Sequence, residues 1–153
     1  MSAERFTLDT NILVYAVDAR EARKRDLATR IIEAAVELDC LLALQAVGEF
    51  YAAAASKLRL DARDAAARAA QLLTGFDVFG YSVHAVRAAL EEAPKGRFSY
   101  WDGVLLASAA EVGCTTIFSE DMADGARFGS IAVANPFRRD GLAPRAKAVF
   151  GLE

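Results

Sequence analysis

The chain has 153 residues, of which 54% are hydrophobic, and it carries a formal net charge of −3 with a sequence pI near 5.3. This length and apolar content predict one globular domain with a full core, and they argue against a disordered chain. The acidic balance argues against a protein that binds nucleic acid through its net positive charge, although basic residues cluster locally.

Short apolar runs alternate along the chain with longer segments of helical periodicity, as is typical of a parallel α/β sheet. The predicted strands are Phe6–Leu8, Leu41–Leu44, Asp77–Tyr81, Thr115–Phe118 and Ile131–Ala134. The predicted helices lie at about Ile12–Val17, Arg20–Leu38, Ala46–Leu58, Asp61–Leu73, Ser82–Pro94 and Tyr100–Val112. We expect a single domain over residues 1–153, with a core at about 6–137 and a C-terminal tail at about 138–153 whose structure the pattern does not predict.

The cysteines and the N-terminus bear on where the protein works. Cys40 and Cys114 each border an apolar run, so we interpret both as small buried hydrophobic residues in a reducing compartment. The first five residues lack the apolar core of a signal peptide. The longest apolar stretch carries Gln45 and Glu49 and is too short to span a bilayer. We therefore expect a cytoplasmic protein that does not enter the membrane.

Four acidic residues stand beside or inside apolar runs, where neutral residues are usual. They are Asp9, Glu49, Asp102 and Asp121. A carboxylate next to buried apolar surface is costly unless it is paired, hydrogen-bonded or bound to a cation. Ligands of open parallel sheets bind beyond the carboxyl ends of the strands. If the first and fourth strands are neighbours, the four carboxylates can converge on one divalent metal.

Each of these residues also has a purely structural interpretation. Asp9 can cap the following helix, and Asp102 can complete a capping box with Ser99. Glu49 can lie on a solvated helix face, and Asp121 shares its loop with two further acids, Glu120 and Asp124. The combination of four is a stronger signal than any single member.

Other reaction chemistries lack their residues in this chain. With His84 as its one histidine, the protein cannot use a pair of histidines for acid–base cleavage. Neither a G-x-S-x-G nucleophile motif nor a glycine-rich phosphate loop is present. Zinc is disfavoured without a Cys/His cluster, whereas a site of carboxylate oxygens suits Mg²⁺ or Mn²⁺.

Three blocks of the sequence resemble PIN-domain ribonucleases, particularly the VapC toxins of bacterial toxin–antitoxin pairs. The opening block is Thr7-Leu8-Asp9-Thr10-Asn11-Ile12-Leu13-Val14-Tyr15, and the later blocks are Phe98-Ser99-Tyr100-Trp101-Asp102 and Ile117-Phe118-Ser119-Glu120-Asp121-Met122. Glu49 matches the second acidic block, and Asn135-Pro136-Phe137 matches the family's ending. The resemblance covers about residues 6–137.

The resemblance implies a three-layer α/β/α sandwich around a central, mostly parallel five-stranded sheet, and Mg²⁺- or Mn²⁺-dependent cleavage of RNA. Position by position it assigns the metal-binding and catalytic acids Asp9, Glu49, Asp102 and Asp121. It further implies that Thr10 and Ser119 orient carboxylates or water, and that Asp124 is a fifth acid or a substitute for Asp121. A homodimer and a cognate antitoxin are the protein partners that it implies.

Substrate phosphates would be guided by nearby cations, and the first candidates are Arg20, Arg23, Lys24 and Arg25. The alternative is that these four residues form a solvated helix face. A housekeeping RNA-processing nuclease and a catalytically silent domain that binds RNA or protein remain alternatives to a toxin. An aspartyl-phosphate enzyme would need an acid two residues after Asp9, where Asn11 stands.

Overall fold

A central sheet organises the protein, whose computed structural model describes residues 4–153. The strands are β1 (Phe6–Leu8), β2 (Leu41–Ala43), β3 (Asp77–Phe79), β4 (Thr116–Phe118), β5 (Arg127–Phe128), β6 (Ile131–Ala134), β7 (Phe137–Arg138) and β8 (Gly141–Leu142). The helices are α1 (Thr10–Tyr15), α2 (Ala22–Ala35), α3 (Leu44–Ser56), α4 (Ala62–Gly75), α5 (Val83–Glu92), α6 (Tyr100–Glu111) and α7 (Pro144–Phe150), with a 3₁₀ turn at Ala93–Lys95.

The sheet is parallel over five strands and has one antiparallel edge strand. β1, β4, β6 and β5 form one ladder, β2 and β3 form another, and a parallel bridge between Phe6 and Cys40 joins the two. The strand order is therefore β3-β2-β1-β4-β6-β5, with β5 antiparallel to β6. The predicted five-stranded sheet is corrected to six strands. β5 was missed because a two-residue strand, reversed by Gly129 at φ 58°, has no readable periodicity.

Helices cover both faces of this sheet, which confirms the predicted α/β/α sandwich. The chain runs from β1 to β3 in one direction through α1–α4 and then returns to β4 through α5 and α6. Because such crossovers are right-handed, the reversal puts α5 and α6 on the opposite face. Gly103 permits close α5–α6 packing, since a Cβ at that position would lie 3.2 Å from the Cα of Ala89.

The C-terminal segment packs onto the core. β7 and β8 form a hairpin, and α7 then places the Phe150 ring 5.4 Å from the Phe6 ring and 4.9 Å from the Phe118 ring, centroid to centroid. These contacts cover β1 and β4. Sequence periodicity could not predict the hairpin, because each of its strands has two residues.

Local hydrogen bonds move several helix ends from their predicted positions. α1 begins at Thr10 rather than Ile12, because Asp9 accepts a bond from the Thr10 amide. α2 begins at Ala22 rather than Arg20, because Asp18 holds the Arg20 amide in a turn. Both cysteines are buried and free, as predicted. In the described part of the chain, no helix is long and apolar enough to cross a membrane.

Candidate metal and active site at the carboxyl ends of β1 and β4

The candidate site lies where the two central strands end side by side. β1 and β4 are parallel neighbours, with Leu8 opposite Phe118, so Asp9 and Ser119 emerge together at the carboxyl edge. The strand order reverses at this point, since the chain leaves β1 toward β2 and returns to β4 on the other side. Ligands of open α/β sheets bind at such a switch point.

Asp9 is the buried centre of the site, with only 7% of its surface exposed. One carboxylate oxygen accepts a hydrogen bond from the Thr10 amide at 2.8 Å. The other accepts from the Ser119 hydroxyl at 2.7 Å and from the Asn11 side-chain amide at 3.2 Å. Burial nevertheless raises the pKa of Asp9 to about 6, against these bonds, and the charges of Asp102 and Asp121 raise it further. Asp9 is thus both a helix cap and a carboxylate whose charged form is disfavoured by burial.

Asn11 connects the opening sequence block to the block that contains Ser119 and Glu120. Its amide nitrogen also donates to the Ser119 hydroxyl at 3.2 Å, and its oxygen accepts from the Glu120 backbone amide at 3.2 Å. Asn11 therefore fixes the loop after β4 against Asp9. The sequence interpretation assigned Asn11 no role in the site. The available signal was a side-chain amide two residues after a strand-end aspartate.

Glu49 is held from two directions although it is exposed. The Thr10 hydroxyl donates to one of its oxygens at 2.8 Å, which fits the orienting role implied for Thr10. The Gln45 amide donates to the other at 3.2 Å and also to the Trp101 carbonyl at 3.3 Å. Gln45, to which the sequence pattern assigned no role in the site, thereby links α3 to the start of α6.

Asp102 lies in the first turn of α6, where the Ser99 hydroxyl accepts from its backbone amide at 3.1 Å and caps the helix. Partial burial raises the pKa of Asp102, and hydrogen bonding of the Ser99 side chain to the carboxyl group opposes this. The charges of Glu49 and Asp121 add to the rise. Asp102 therefore combines the capping position with a place in the acidic cluster.

The four predicted acids share one electrostatic neighbourhood. Asp121 acts on both Asp9 and Asp102, and Glu49 acts on Asp102. Within residues 4–153, none of the four forms an ion pair with Lys or Arg. In the same range no three Asp, Glu, His or Cys side chains lie close enough together to hold a metal ion. The acids surround a common region without forming a ready-made coordination cage.

Asp124 and the basic candidates have contacts of their own. Asp124 accepts from the Asn135 amide at 2.9 Å and pairs with Arg138 at 3.5 Å, so the C-terminal hairpin engages it. Arg20 pairs with the buried Asp18 at 2.9 Å, and Lys24 pairs with Glu120 at 2.7 Å.

The remaining contacts of Glu120 and the exposure of the other two basic candidates complete this region. The Tyr15 hydroxyl at the end of α1 also donates to Glu120, so this acid is held by both α1 and Lys24 of α2. Arg23 and Arg25 are exposed on α2.

Three solved structures share the fold of this chain. VapC20 of Mycobacterium tuberculosis, described as a toxin that cleaves the sarcin–ricin loop, matches with a TM-score of 0.62 at 20% identity, over 76% of this chain and 89% of that one. VapBC2 of Rickettsia felis, solved with a DNA fragment from its promoter, gives a TM-score of 0.60 at 14% identity, over 85% and 97%. PAE2754 of Pyrobaculum aerophilum gives 0.53 at 15% identity, over 77% and 80%.

Sequence comparison gives the family directly. No curated protein matches the chain in sequence. The family model described as the PIN domain matches residues 6–124, which include Asp9, Glu49, Asp102 and Asp121. The match spans most of the 153 residues and ends within the loop after β4. The chain belongs to the PIN domain family.

Proposed function

We propose that this protein is a Mg²⁺- or Mn²⁺-dependent endoribonuclease. One observation carries the proposal: in a PIN-domain chain, four acids surround the switch point of the sheet and no lysine or arginine of residues 4–153 pairs with them. Charges of one sign that are left uncompensated in a partly buried site favour a bound cation. This arrangement makes the site costly for the protein without metal.

The residues present fit a hard divalent cation. Their donor atoms are carboxylate oxygens, which Mg²⁺ and Mn²⁺ prefer, and no Cys or His stands among them. Asp9, Asp102 and Asp121 would hold the ion together with Glu49, after their side chains rotate toward one another. When bound, the ion would supply activation of a water molecule and neutralisation of negative charge on the phosphate.

The chain's own groups position this chemistry. Ser119 and Asn11 fix the orientation of Asp9 through hydrogen bonds, while Thr10 and Gln45 fix Glu49. In the reaction the water oxygen bonds to phosphorus and the bond from phosphorus to the 3′ oxygen breaks. One water proton goes to the departing oxygen, so the products carry a 5′-phosphate and a 3′-hydroxyl. Arg23 and Arg25 are the basic candidates left free to approach RNA phosphates.

The cellular role that we propose is the toxin of a toxin–antitoxin pair, acting in the cytoplasm as a homodimer that a cognate antitoxin inhibits. Support comes from the fold shared with VapC20, described as a toxin that cleaves the sarcin–ricin loop, and with VapBC2. A housekeeping RNA-processing nuclease would have the same site, so growth separates the two roles. Expression of the chain should slow growth unless the antitoxin is present, and Asp9→Asn should relieve the effect.

A catalytically silent RNA- or protein-binding domain is the second candidate, favoured by the absence of three metal-ready acids within residues 4–153. The deciding experiment maps the 5′ ends of RNA after incubation with purified protein and Mg²⁺, Mn²⁺ or EDTA. We expect new 5′-phosphate ends with either metal and none with EDTA or with Asp102→Asn. Ends that persist in EDTA would refute the metal mechanism, and no ends with either metal would favour the silent domain.

A further inference from the structure

Trp101 is an exposed aromatic residue at the edge of the acidic site. It is the chain's one tryptophan, and 54% of its surface is accessible. It directly precedes Asp102 in the first turn of α6. A large apolar side chain in this position gains little from folding, because most of its ring remains in water. Its position next to Asp102, rather than its exposure alone, makes it a candidate contact for a ligand of the acidic site.

The position of Trp101 is fixed even though its ring is exposed. Its backbone carbonyl accepts a hydrogen bond from the Gln45 amide at 3.3 Å, and the same amide donates to Glu49. Its ring packs edge-to-face against Tyr100, with centroids 4.9 Å apart and planes at 71°. The backbone of Trp101 is thus tied to the acidic site and its ring is packed on Tyr100, so ordering the indole costs a ligand little.

The charge distribution indicates that ion pairs with phosphates are not the main source of RNA affinity in this protein. The net charge is −3, and the acidic cluster repels phosphates. Two of the four basic candidates are already engaged, Arg20 by Asp18 and Lys24 by Glu120. Base stacking on an aromatic face is independent of charge and strengthens binding by roughly fivefold to a hundredfold per base. An exposed indole next to Asp102 can supply such a contact.

We propose that Trp101 stacks on an unpaired base of the RNA substrate next to the phosphate that is cleaved. This inference rests on the proposed nuclease function and adds to it a side chain that contacts an RNA base. A base within a duplex is already stacked on both faces, so it must be unpaired before an indole can cover it. Trp101 therefore selects the conformation of the RNA rather than its sequence.

Fluorescence reads this contact directly, because Trp101 provides the only indole signal in the chain. Single-stranded RNA titrated into the full protein in EDTA, which prevents cleavage, should quench the emission to saturation. A duplex of the same sequence should quench it far less. Equal quenching by both RNAs, or saturable binding without quenching, would overturn the proposal.

Substitution of Trp101 tests how much the stacking contact contributes to RNA affinity. In EDTA, Trp101→Ala should weaken the affinity for labelled single-stranded RNA by roughly fivefold to a hundredfold, the range expected for one stacked base. Trp101→Phe should retain most of the affinity, because phenylalanine also offers a ring face. The matched control is Leu90→Ala on α5, which removes an apolar side chain of similar exposure, 57%, and should bind as the unmodified protein does.

Kinetics with Mg²⁺ separate stacking from a structural effect. Trp101→Ala should raise KM by the same factor as the loss in affinity and leave kcat at saturating RNA within about twofold. A fall in kcat with unchanged RNA affinity would show that Trp101 shapes α6 instead, and it would overturn the inference. If Trp101→Ala dissociates a dimer while RNA affinity per protomer stays the same, the indole contacts protein and the inference is again overturned.

The inference and the proposed function can fail separately. Metal-dependent cleavage that is indifferent to Trp101→Ala leaves the nuclease and removes the stacking contact. RNA binding that depends on Trp101, without cleavage in Mg²⁺ or Mn²⁺, leaves the stacking contact and removes the nuclease.

Discussion

The acids at the two ends of the central sheet have different charged neighbours. Before the amino ends of β1 and β2, two acids have basic partners: Glu4 accepts from Arg145 at 2.7 Å, and Asp39 pairs with Arg5 at 3.2 Å. At the carboxyl ends, Asp9, Asp102 and Asp121 have one another as charged neighbours. Composition alone does not produce this difference, since the chain has 18 basic residues for 21 acidic ones.

Asp18 sharpens the contrast because it is as buried as Asp9. Its exposed fraction is 4%, against 7% for Asp9. The Arg20 guanidinium lowers the pKa of Asp18, whereas burial raises the pKa of Asp9 to about 6. Burial of a carboxylate therefore does not mark a functional site in this protein. We propose that burial without a cationic partner, as at Asp9, does.

The largest expected effect is on cleavage. Asp9→Asn should lower the rate of Mg²⁺-dependent RNA cleavage by roughly a thousandfold or more, because several kcal/mol of metal-dependent stabilisation of the transition state are removed. Asp18→Asn is the matched control, an equally buried aspartate that is neutralised outside the cluster, and it should cleave normally. Initial rates on one RNA, with circular dichroism to verify folding, measure both. Equal losses in the two variants would mean that the contrast between them has no catalytic meaning.

The sequence predicted the acids of this candidate site but not all the side chains that orient them, and the reason is physical. Asp9 was predictable because it ends a three-residue apolar strand, a pattern that is readable locally. The roles of Asn11 and Gln45 were not. Asn11 contacts Ser119 across 108 residues, and Gln45 contacts Trp101 across 56. Such contacts follow from strand order and helix packing, which no single window of sequence contains.

The same reasoning separates the predicted part of the fold from the rest. Strands β1, β2, β4 and β6 are buried apolar runs whose positions the sequence predicted to within one residue. The hairpin of β7 and β8 has strands of two residues and is held by its turn and by the packing of α7. Local pattern predicts elements that bury a whole face, and tertiary packing decides the short ones.

The next effect concerns stability and pH. The pKa of Asp9 rises from 3.8 to about 6 on folding, so protonated Asp9 favours the folded state below pH 4 and this contribution is lost as pH rises through 6. At pH 7 in EDTA, Asp9→Asn should therefore stabilise the protein by up to about 3 kcal/mol, less the cost of weaker hydrogen bonds to Ser119 and Thr10. Near pH 4 the gain should vanish.

Urea denaturation at both pH values measures this difference, again with Asp18→Asn as control. Asp18→Asn should destabilise the protein at pH 7, because the folded state lowers the pKa of Asp18. If both substitutions changed stability in the same direction at pH 7, the electrostatic contrast between the two aspartates would be wrong.

Metal binding should offset the unfavourable charge of the acids at the carboxyl ends of β1 and β4. Mn²⁺ at ten times its dissociation constant should stabilise the unmodified protein by about 1.4 kcal/mol at pH 7, through preferential binding to the folded state. Asp9→Asn should show little of this shift, and Asp18→Asn should show all of it. Thermal melts against Mn²⁺ concentration measure the effect. A full shift in Asp9→Asn would place the ion elsewhere.

A smaller effect is expected from the exposed arginines of α2. Replacing Arg23 and Arg25 by alanine should weaken RNA binding and reduce the slope of log affinity against log salt by about 0.7 for each phosphate that the protein no longer neutralises. Arg20→Ala is the control, because Asp18 already engages that guanidinium. Binding isotherms in EDTA from low to high salt give the slopes. An unchanged slope would leave the α2 cations as a solvated helix face.

The smallest effect is expected at the amino end of the sheet. Glu4→Gln removes the ion pair with Arg145, whose side chain is 52% exposed, so the free energy of unfolding should fall by about 0.2–1 kcal/mol. Cleavage and Mn²⁺ affinity should not change, because the paired acid lies at the opposite end of β1 from Asp9. The loss should also shrink in high salt, which screens a partly exposed pair. A change in metal affinity on Glu4→Gln would mean that the two ends of β1 are coupled through its three residues. The paired acids before β1 and the unpaired acids after it would then not act independently.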